Sequence, residues 1–195
     1  MNGEYYKTKE SVEEYIELAK DVNGAELIDK LKQVLPLKSN LLEIGSGPGT
    51  DWEILKEFYN VTGSDNSSEF LNHLKARHPK GLFLDLDAIT VDTSKNFDGI
   101  YSNKVMQHLK DNELKDSIKR QSEILNTNGI ICHSFWKGEG SENFKGLYVN
   151  YHDEEKLKSF FESHFEILSI ISYQEFEEDD SILLIGMRKK AINKI

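Results

Sequence analysis

The sequence predicts a doubly wound α/β fold, in which a mostly parallel sheet carries helices on both faces. Two observations support this class. Short apolar segments of strand character alternate with longer segments whose apolar residues recur at helical spacing. The last two strand segments, 165–173 and 182–187, are joined by an acidic loop without a helix. The sheet is therefore expected to end with an antiparallel strand.

Each element is assigned from the spacing of its apolar residues. In chain order, the predicted strands are 41–44, 59–63, 81–86, 97–102, 129–136, 165–173 and 182–187. The predicted helices are 11–20, with Ser11 as its N-cap, 25–35, 52–59, 69–77, 111–125 and 153–163. Strands that alternate with helices imply βαβ units and one sheet, here of seven strands.

Length, charge and cysteine content narrow the possible classes of protein. A chain of 195 residues can bury its own core as one domain. No segment approaches the roughly 20 apolar residues of a membrane span, and the first residues lack an apolar signal region. The net charge of −10 argues against nucleic acid or an anionic membrane as partner. The single Cys132 fits a reducing compartment and predicts a cytoplasmic protein.

The segment 41–51 joins the first strand to a helix through three glycines at alternate positions. Gly45, Gly47 and Gly49 allow a sharp turn and a close approach of the backbone to a ligand. The helix that follows directs its N–H groups and the positive end of its dipole into the same crevice. The sequence therefore predicts a site for a nucleotide-like ligand at the carboxyl end of this strand.

This glycine pattern differs from the dinucleotide-binding pattern G-x-G-x-x-G. Its third glycine comes one residue earlier, and Glu43 precedes the first glycine by two positions. Asp65 ends the second strand, where a carboxylate can accept two hydrogen bonds from a ribose diol. The third strand ends in two acids, Asp85 and Asp87, and the fourth ends in Ser102-Asn103.

These four motifs, in this order, resemble those of the class I S-adenosylmethionine-dependent methyltransferases over about residues 37–188. The resemblance implies a Rossmann-like sheet, S-adenosylmethionine as cofactor, and in-line methyl transfer. It implies that Asp87-Ala88 contacts adenine, with Asp85-Leu86 as the competing alignment. The cofactor-binding residues expected from it are Tyr15, Glu43, Gly45, Ser46, Gly47, Gly49, Asp65, Asn66, Asp87, Ala88, Ser102 and Asn103.

The resemblance also predicts how the chain is organised around the cofactor. Residues 1–36, with Tyr5, Tyr6 and Tyr15, form a helical segment that covers the site, and residues 37–195 form the cofactor-binding domain. The segment 137–151 follows the fifth strand, where loops that contact substrate often lie. We expect its aromatic residues and the preceding Trp136 to border the acceptor pocket; these residues are Phe144, Tyr148 and Tyr151.

The residue that removes a proton from the acceptor stays open at this stage. Candidates near the strand ends are His108, His133, Tyr148, Tyr151 and His152, and each can instead be explained by packing. The histidine and cysteine spacing predicts no metal site.

Three functions are consistent with the sequence. The first is a methyltransferase that acts on a small molecule, since neither a basic groove nor an extended domain for a macromolecule is evident. The second is an NAD-dependent oxidoreductase, which the early third glycine and Glu43 disfavour. The third is a non-catalytic module that binds S-adenosylmethionine.

Overall fold

The computed structural model describes residues 6, 8–20, 22–144 and 146–190. The helices are α1 (Lys9–Leu18), α2 (Ala25–Leu31), α3 (Thr50–Leu55), α4 (Ser68–Arg77), α5 (Asp111–Ile124) and α6 (Glu154–Phe161), with a 3₁₀ helix at Met106–His108. The strands are β1 (Asn40–Ile44), β2 (Asn60–Asp65), β3 (Leu82–Asp85), β4 (Phe97–Ser102), β5 (Leu125–Trp136), β6 (Ser141–Phe144), β7 (Leu147–Asn150), β8 (Phe165–Tyr173) and β9 (Ser181–Arg188).

Seven of these strands form one sheet in the order β3-β2-β1-β4-β5-β9-β8. Strands β1 to β5 pair in parallel, and β9 is antiparallel to both β5 and β8. The predicted fold class is confirmed, including the antiparallel strand near the C-terminus. The strand order reverses between β1 and β4, which is where open α/β sheets form a binding crevice.

Two apolar cores lie on the two faces of this sheet. Because successive side chains of a strand point to opposite faces, Leu41 packs with α2 and α3, whereas Leu42 packs with α5 and α6. Both leucines are fully buried. The helices thus cover both faces, and the sheet holds the strand ends in fixed positions.

Several element boundaries differ from the predictions. The N-cap of α1 is Thr8, whose Oγ1 accepts from the Ser11 N–H at 3.2 Å, so the assignment of Ser11 as the cap is wrong. Helix α2 ends at Leu31 rather than at residue 35. Leu35 is still 98% buried, because the turn after the helix returns it to the core. Its apolar side chain therefore extended the helical pattern of the sequence beyond the end of the helix.

The hairpin of β6 and β7 was not predicted from the sequence. Each strand has only four residues, and they pair with each other as a separate two-stranded sheet. Strands this short give little periodicity to detect. In the part of the chain that the structure describes, no helix has the length and apolar character needed to cross a membrane.

Candidate active site

A cleft lies at the carboxyl ends of the central strands, beside the point where strand order reverses. Each of four strands contributes to it: Gly45 follows β1, Asp65 ends β2, Leu86 follows β3 and Asn103 follows β4. The predicted motifs therefore meet in one place because parallel strands bring their carboxyl ends to one edge of the sheet.

The three glycines of the first loop have positive φ angles, but their surroundings differ. A Cβ at Gly45 (φ 71°) would stand 2.5 Å from Val105, and one at Gly49 (φ 88°) would stand 2.5 Å from Leu74. A Cβ at Gly47 (φ 48°) would meet nothing within 4 Å. Gly45 and Gly49 are thus required by packing, whereas Gly47 borders open space in the cleft.

Glu43 is 98% buried beneath this loop. Its Oε2 accepts a 2.5 Å hydrogen bond from the Ser46 hydroxyl, whose oxygen accepts from the Ser64 N–H. Burial, reinforced by the negative charge of Asp51, raises the pKa of Glu43 to about 8. The carboxyl group therefore holds the loop to β2 and carries a proton at neutral pH.

Asp65 connects the end of β2 to two neighbouring segments. Its Oδ2 accepts from the Gly47 N–H and its Oδ1 from the Ser67 N–H, both at 2.9 Å. Burial raises its pKa, opposed by these backbone hydrogen bonds. Ser67 in turn is the N-cap of α4. Asp65 and the adjacent Asn66 both line the cleft.

The end of β3 reaches the cleft through Leu86 and Ala88. Asp85 is exposed, and the Oδ1 of Asp87 accepts from the Ile89 N–H at 2.7 Å. Neither carboxyl group is among the residues that line the cleft. Which of the two acids contacts adenine therefore stays a prediction.

His108 faces the cleft from the 3₁₀ helix that follows β4. Its Nδ1 lies 2.8 Å from the main-chain carbonyl oxygen of Tyr148 in β7. A carbonyl oxygen can only accept, so Nδ1 carries the proton and Nε2 presents a lone pair. Burial lowers the pKa of His108, opposed by this hydrogen bond. The imidazole is therefore neutral at pH 7 and able to accept a proton.

Three aromatic rings close the cleft on the side of α1 and α4. Tyr15 of α1 lies edge-on to Tyr6, with ring centroids 5.2 Å apart, and both contact Phe70 of α4 at 5.8 and 5.6 Å. The Ser67 hydroxyl donates to the main-chain carbonyl of Tyr6 at 2.5 Å. The first helix is thus fixed across the cleft.

Comparison with known proteins finds a family match over the central part of this chain. Residues 41–129, which include the glycine loop and the ends of β1 to β4, match a family model described as a methyltransferase domain. These residues carry a methyltransferase domain, and the findings support a class I S-adenosylmethionine-dependent methyltransferase. The predicted family, enzyme class and cofactor are confirmed, and the oxidoreductase and the non-catalytic module are not favoured.

Solved structures share the fold of this methyltransferase at low sequence identity. An S-adenosylmethionine-dependent methyltransferase from Clostridium acetobutylicum has a TM-score of 0.74 at 14% identity, covering 93% of this chain and 98% of that one. The 1,6-didemethyltoxoflavin-N1-methyltransferase of Burkholderia thailandensis, with bound 1,6-didemethyltoxoflavin and S-adenosylhomocysteine, has a TM-score of 0.79 at 16% identity, covering 93% and 85%. The N-methyltransferase NodS of Bradyrhizobium japonicum, in complex with S-adenosylhomocysteine, has a TM-score of 0.72 at 17% identity, covering 93% and 98%.

The cleft brings many of the predicted cofactor-binding residues of the methyltransferase together. Those that line it are Tyr15, Glu43, Gly45, Ser46, Gly47, Asp65, Asn66, Ala88 and Asn103. Gly49, Asp87 and Ser102 are not among the residues that line it. The Ser102 hydroxyl, for example, is fully buried against Nδ1 of His133 at 2.8 Å. The contacts of all twelve residues with the cofactor stay predictions.

Most of the proposed bases and acceptor-pocket residues lie away from the cleft. His133 is fully buried between Ser102 and Gln121, each at 2.8 Å, and burial lowers its pKa to about 3. Tyr151 donates its hydroxyl to Glu142 at 2.6 Å. His152 is fully buried, with its ring edge-on to a neighbouring aromatic ring of the core. His108 alone among these candidates lines the cleft.

Trp136 and Tyr148 do not line the cleft, but each contacts a residue that does. Tyr148 supplies the carbonyl that holds His108, and the adjacent Leu147 lines the cleft. The ring of Trp136 lies 3.6 Å from Nζ of Lys104. The side chain of Phe144 and all of Tyr5 fall outside the described residues, so their predicted roles stay predictions.

Sequence reasoning missed three charged residues that line the cleft. They are Asp51 in the first turn of α3, Lys104 after β4, and Glu175 in the β8–β9 loop. Nζ of Lys104 lies 3.1 Å from the Glu175 carboxylate, and burial lowers the Lys104 pKa to about 8 although Glu175 raises it. An acid in the first turn after the glycine loop was a detectable signal for Asp51.

Among residues 6, 8–20, 22–144 and 146–190, no group of three or more histidine, cysteine, aspartate or glutamate side chains is arranged to hold a metal ion.

Proposed function

We propose that this methyltransferase transfers the methyl group of S-adenosylmethionine by in-line displacement to a nucleophilic atom of a small molecule, with His108 as general base. The observation that carries the proposal is the orientation of the imidazole. Its Nδ1 is held by the Tyr148 carbonyl, and the ring borders the cleft. Nε2 is left to receive a proton from the acceptor.

The residues of the cleft fit S-adenosylmethionine as the cofactor. The open space at Gly47 admits a ligand against the backbone, and Asp65 stands beside it at the end of β2. Asp51 provides a further carboxyl group beside the loop, which suits a ligand with an ammonium and a sulfonium. Bound S-adenosylmethionine supplies a methyl group on a positively charged sulfur.

Sheet order divides the cleft into two sides. Strands β2 and β3 lie on one side of β1, and we assign the ribose and adenine to their ends at Asp65 and Ala88. Strand β4 lies on the other side, and His108, Leu147 and Glu175 line the cleft there. We assign this second side to the acceptor.

The acceptor side favours a small molecule over a macromolecule. Ala19 of the N-terminal segment and Leu147 of the hairpin both line the cleft, so the space is bordered by α1 and by β7. The positions of the acceptor and of Nε2 must be fixed before a proton moves, and such positioning supplies much of the rate of a displacement reaction.

A binding experiment tests the cofactor part of the proposal. We expect S-adenosylhomocysteine to raise the melting temperature of the protein and NAD to leave it unchanged. At 100 times its Kd a ligand stabilises the folded state by about 2.7 kcal/mol. Absence of a shift with millimolar S-adenosylhomocysteine would contradict the assignment of the cleft.

A panel of candidate methyl acceptors tests the acceptor part of the proposal. The panel begins with nitrogen heterocycles and amines, because two proteins of similar fold are N-methyltransferases. It also contains total RNA and a protein extract, and methylated products are identified by mass spectrometry. We expect methylation of a small molecule only. Methylation of RNA or protein would overturn the acceptor class while leaving the cofactor assignment intact.

A further inference from the structure

A second groove lies at the opposite edge of the sheet from the cofactor cleft. It is lined by the first residues of four parallel strands: Asn40 of β1, Asn60 of β2, Leu82 of β3 and Phe97 of β4. The cofactor cleft lies at the carboxyl ends of the same strands. The two sites are therefore separated by the length of the sheet and share no lining residue.

The charges in this groove are opposite in sign to the charge of the protein. Lys56, Arg77, Lys80 and Lys95 line it, and they come from three separate segments of the chain. Among the described residues, no aspartate or glutamate lines the groove. The whole chain carries a net charge of −10, so this concentration of cations is local. Arg77 also pairs with Glu53 at 2.9 Å, which leaves the three lysines to face a ligand.

The remaining lining residues are neutral donors and apolar surface. The side-chain amides of Asn40 and Asn96 supply N–H groups, and Trp52 and Val61 supply apolar wall. The volume of the groove is about 870 Å³, within the usual range of about 300–1,000 Å³ for small-molecule sites. A nucleic acid chain would require a longer track of cations than one groove of this size provides.

We propose that this groove binds a small phosphorylated molecule with more than one negative charge, such as a nucleoside polyphosphate. Several cations around one space match a ligand with several phosphate groups, since lysine and arginine form charge-assisted hydrogen bonds with phosphate oxygens. The apolar and amide surface suits the organic part of the ligand. Helix α3 contributes to both sites, with Asp51 in the cleft and Lys56 after its last turn in the groove.

Isothermal titration with tripolyphosphate and with ATP tests this proposal. Both are titrated into the full chain saturated with S-adenosylhomocysteine, at low ionic strength. The Lys80→Gln/Lys95→Gln double variant replaces two exposed lysines of the groove. The control, Lys119→Gln/Lys158→Gln, replaces two exposed lysines outside the groove and changes the net charge by the same amount. We expect one site per chain. Affinity should fall at least about tenfold in the groove variant only, as expected for lost charge-assisted contacts.

Four results would overturn the proposal. One is the absence of saturable binding of either probe at millimolar concentration. Another is an equal loss of affinity in both double variants, which would show attraction by overall charge alone. A third is binding that occurs only when S-adenosylhomocysteine is left out, which would place the probe in the cofactor cleft. The last is binding of oligothymidylate that tightens with length, which would identify the groove as a nucleic-acid surface.

Discussion

The buried hydroxyl of Tyr101 donates a 2.7 Å hydrogen bond to the carboxylate of Asp51, 50 residues earlier in the chain. The same carboxylate accepts from the Gly24 N–H at 2.6 Å and from the Asn103 side chain at 3.1 Å. Asp51 therefore joins the start of α2, strand β4 and the first turn of α3 at the wall of the cofactor cleft.

Removal of Asp51 is expected to destabilise the fold strongly. Asp51→Ala leaves the donors of Gly24, Tyr101 and Asn103 without an acceptor, and we expect a loss of about 3 kcal/mol in the free energy of unfolding. Tyr101→Phe removes one donor and should cost about half as much. Urea unfolding measures both. The exposed Asp116→Ala is the control, and a similar loss there would contradict the role given to Asp51.

Substitutions in the glycine loop should separate packing from ligand binding. Gly45→Ala meets Val105 and also strains a positive φ, so we expect a loss of roughly 2–5 kcal/mol in stability. Gly47→Ala should cost only about 1–2 kcal/mol yet weaken S-adenosylhomocysteine binding, because its methyl group enters the open cleft. Gly140→Ala, at φ 77° with free space around it, is the matched control. Unchanged ligand affinity in Gly47→Ala would show that this glycine does not border the bound ligand.

The parts of the site that the sequence could predict are those built from local patterns. The glycine loop, Asp65 and the Ser102-Asn103 strand end follow apolar strands directly, and parallel pairing brings them together. Lys104 contacts Glu175, whose residue number is larger by 71. A contact between residues so far apart in the chain leaves no periodic pattern in the sequence. The choice between His108 and the other candidate bases also depended on tertiary contacts, since each had a plausible packing role.

The raised pKa of Glu43 predicts a stability that declines with pH. Between its ordinary value of 4.5 and about 8, the folded state holds a proton that the unfolded chain has released. Glu43 should therefore make the free energy of unfolding fall as pH rises through this window, by at most about 1.4 kcal/mol per pH unit. Buried His133, with its pKa lowered to about 3, has the opposite effect below pH 6.5, so the test is made above that value. Glu43→Gln is neutral in both states and should remove the Glu43 contribution to the slope in urea unfolding from pH 6.5 to 8. The exposed Glu57→Gln should keep the wild-type slope; if Glu43→Gln keeps it too, Glu43 is not the titrating group.

The Lys104–Glu175 pair should show strong coupling because both side chains are largely withdrawn from solvent. Their exposed fractions are 12% and 15%, and Nζ of Lys104 also contacts Ser181 at 2.6 Å. A double-mutant cycle with Lys104→Met and Glu175→Gln is expected to give a coupling of about 1–3 kcal/mol. The more exposed pair of Lys32 and Asp29, with exposed fractions of 31% and 68%, should give about 0.5 kcal/mol or less. Equal coupling in the two cycles would show that burial does not strengthen the first pair.

The general-base role of His108 predicts both a rate loss and a pH profile. His108→Gln should lower kcat about 10²–10⁴-fold on the acceptor that the panel identifies, with little change in S-adenosylhomocysteine affinity. In the wild-type enzyme the rate should fall as pH drops below the lowered pKa of His108, because the protonated ring cannot accept a proton. His164→Gln, remote from the cleft, should keep the wild-type profile. Retention of the acid limb in His108→Gln would assign it to another group.

The oxygen that orients His108 belongs to the backbone of position 148 and not to its side chain. The identity of residue 148 can therefore change while the tautomer of the imidazole stays the same, provided that the hairpin keeps its register. Directed evolution of the hairpin side chains could thus alter which acceptor is methylated without rebuilding the proton-transfer step. An insertion within the hairpin would shift the carbonyl and disturb both properties at once.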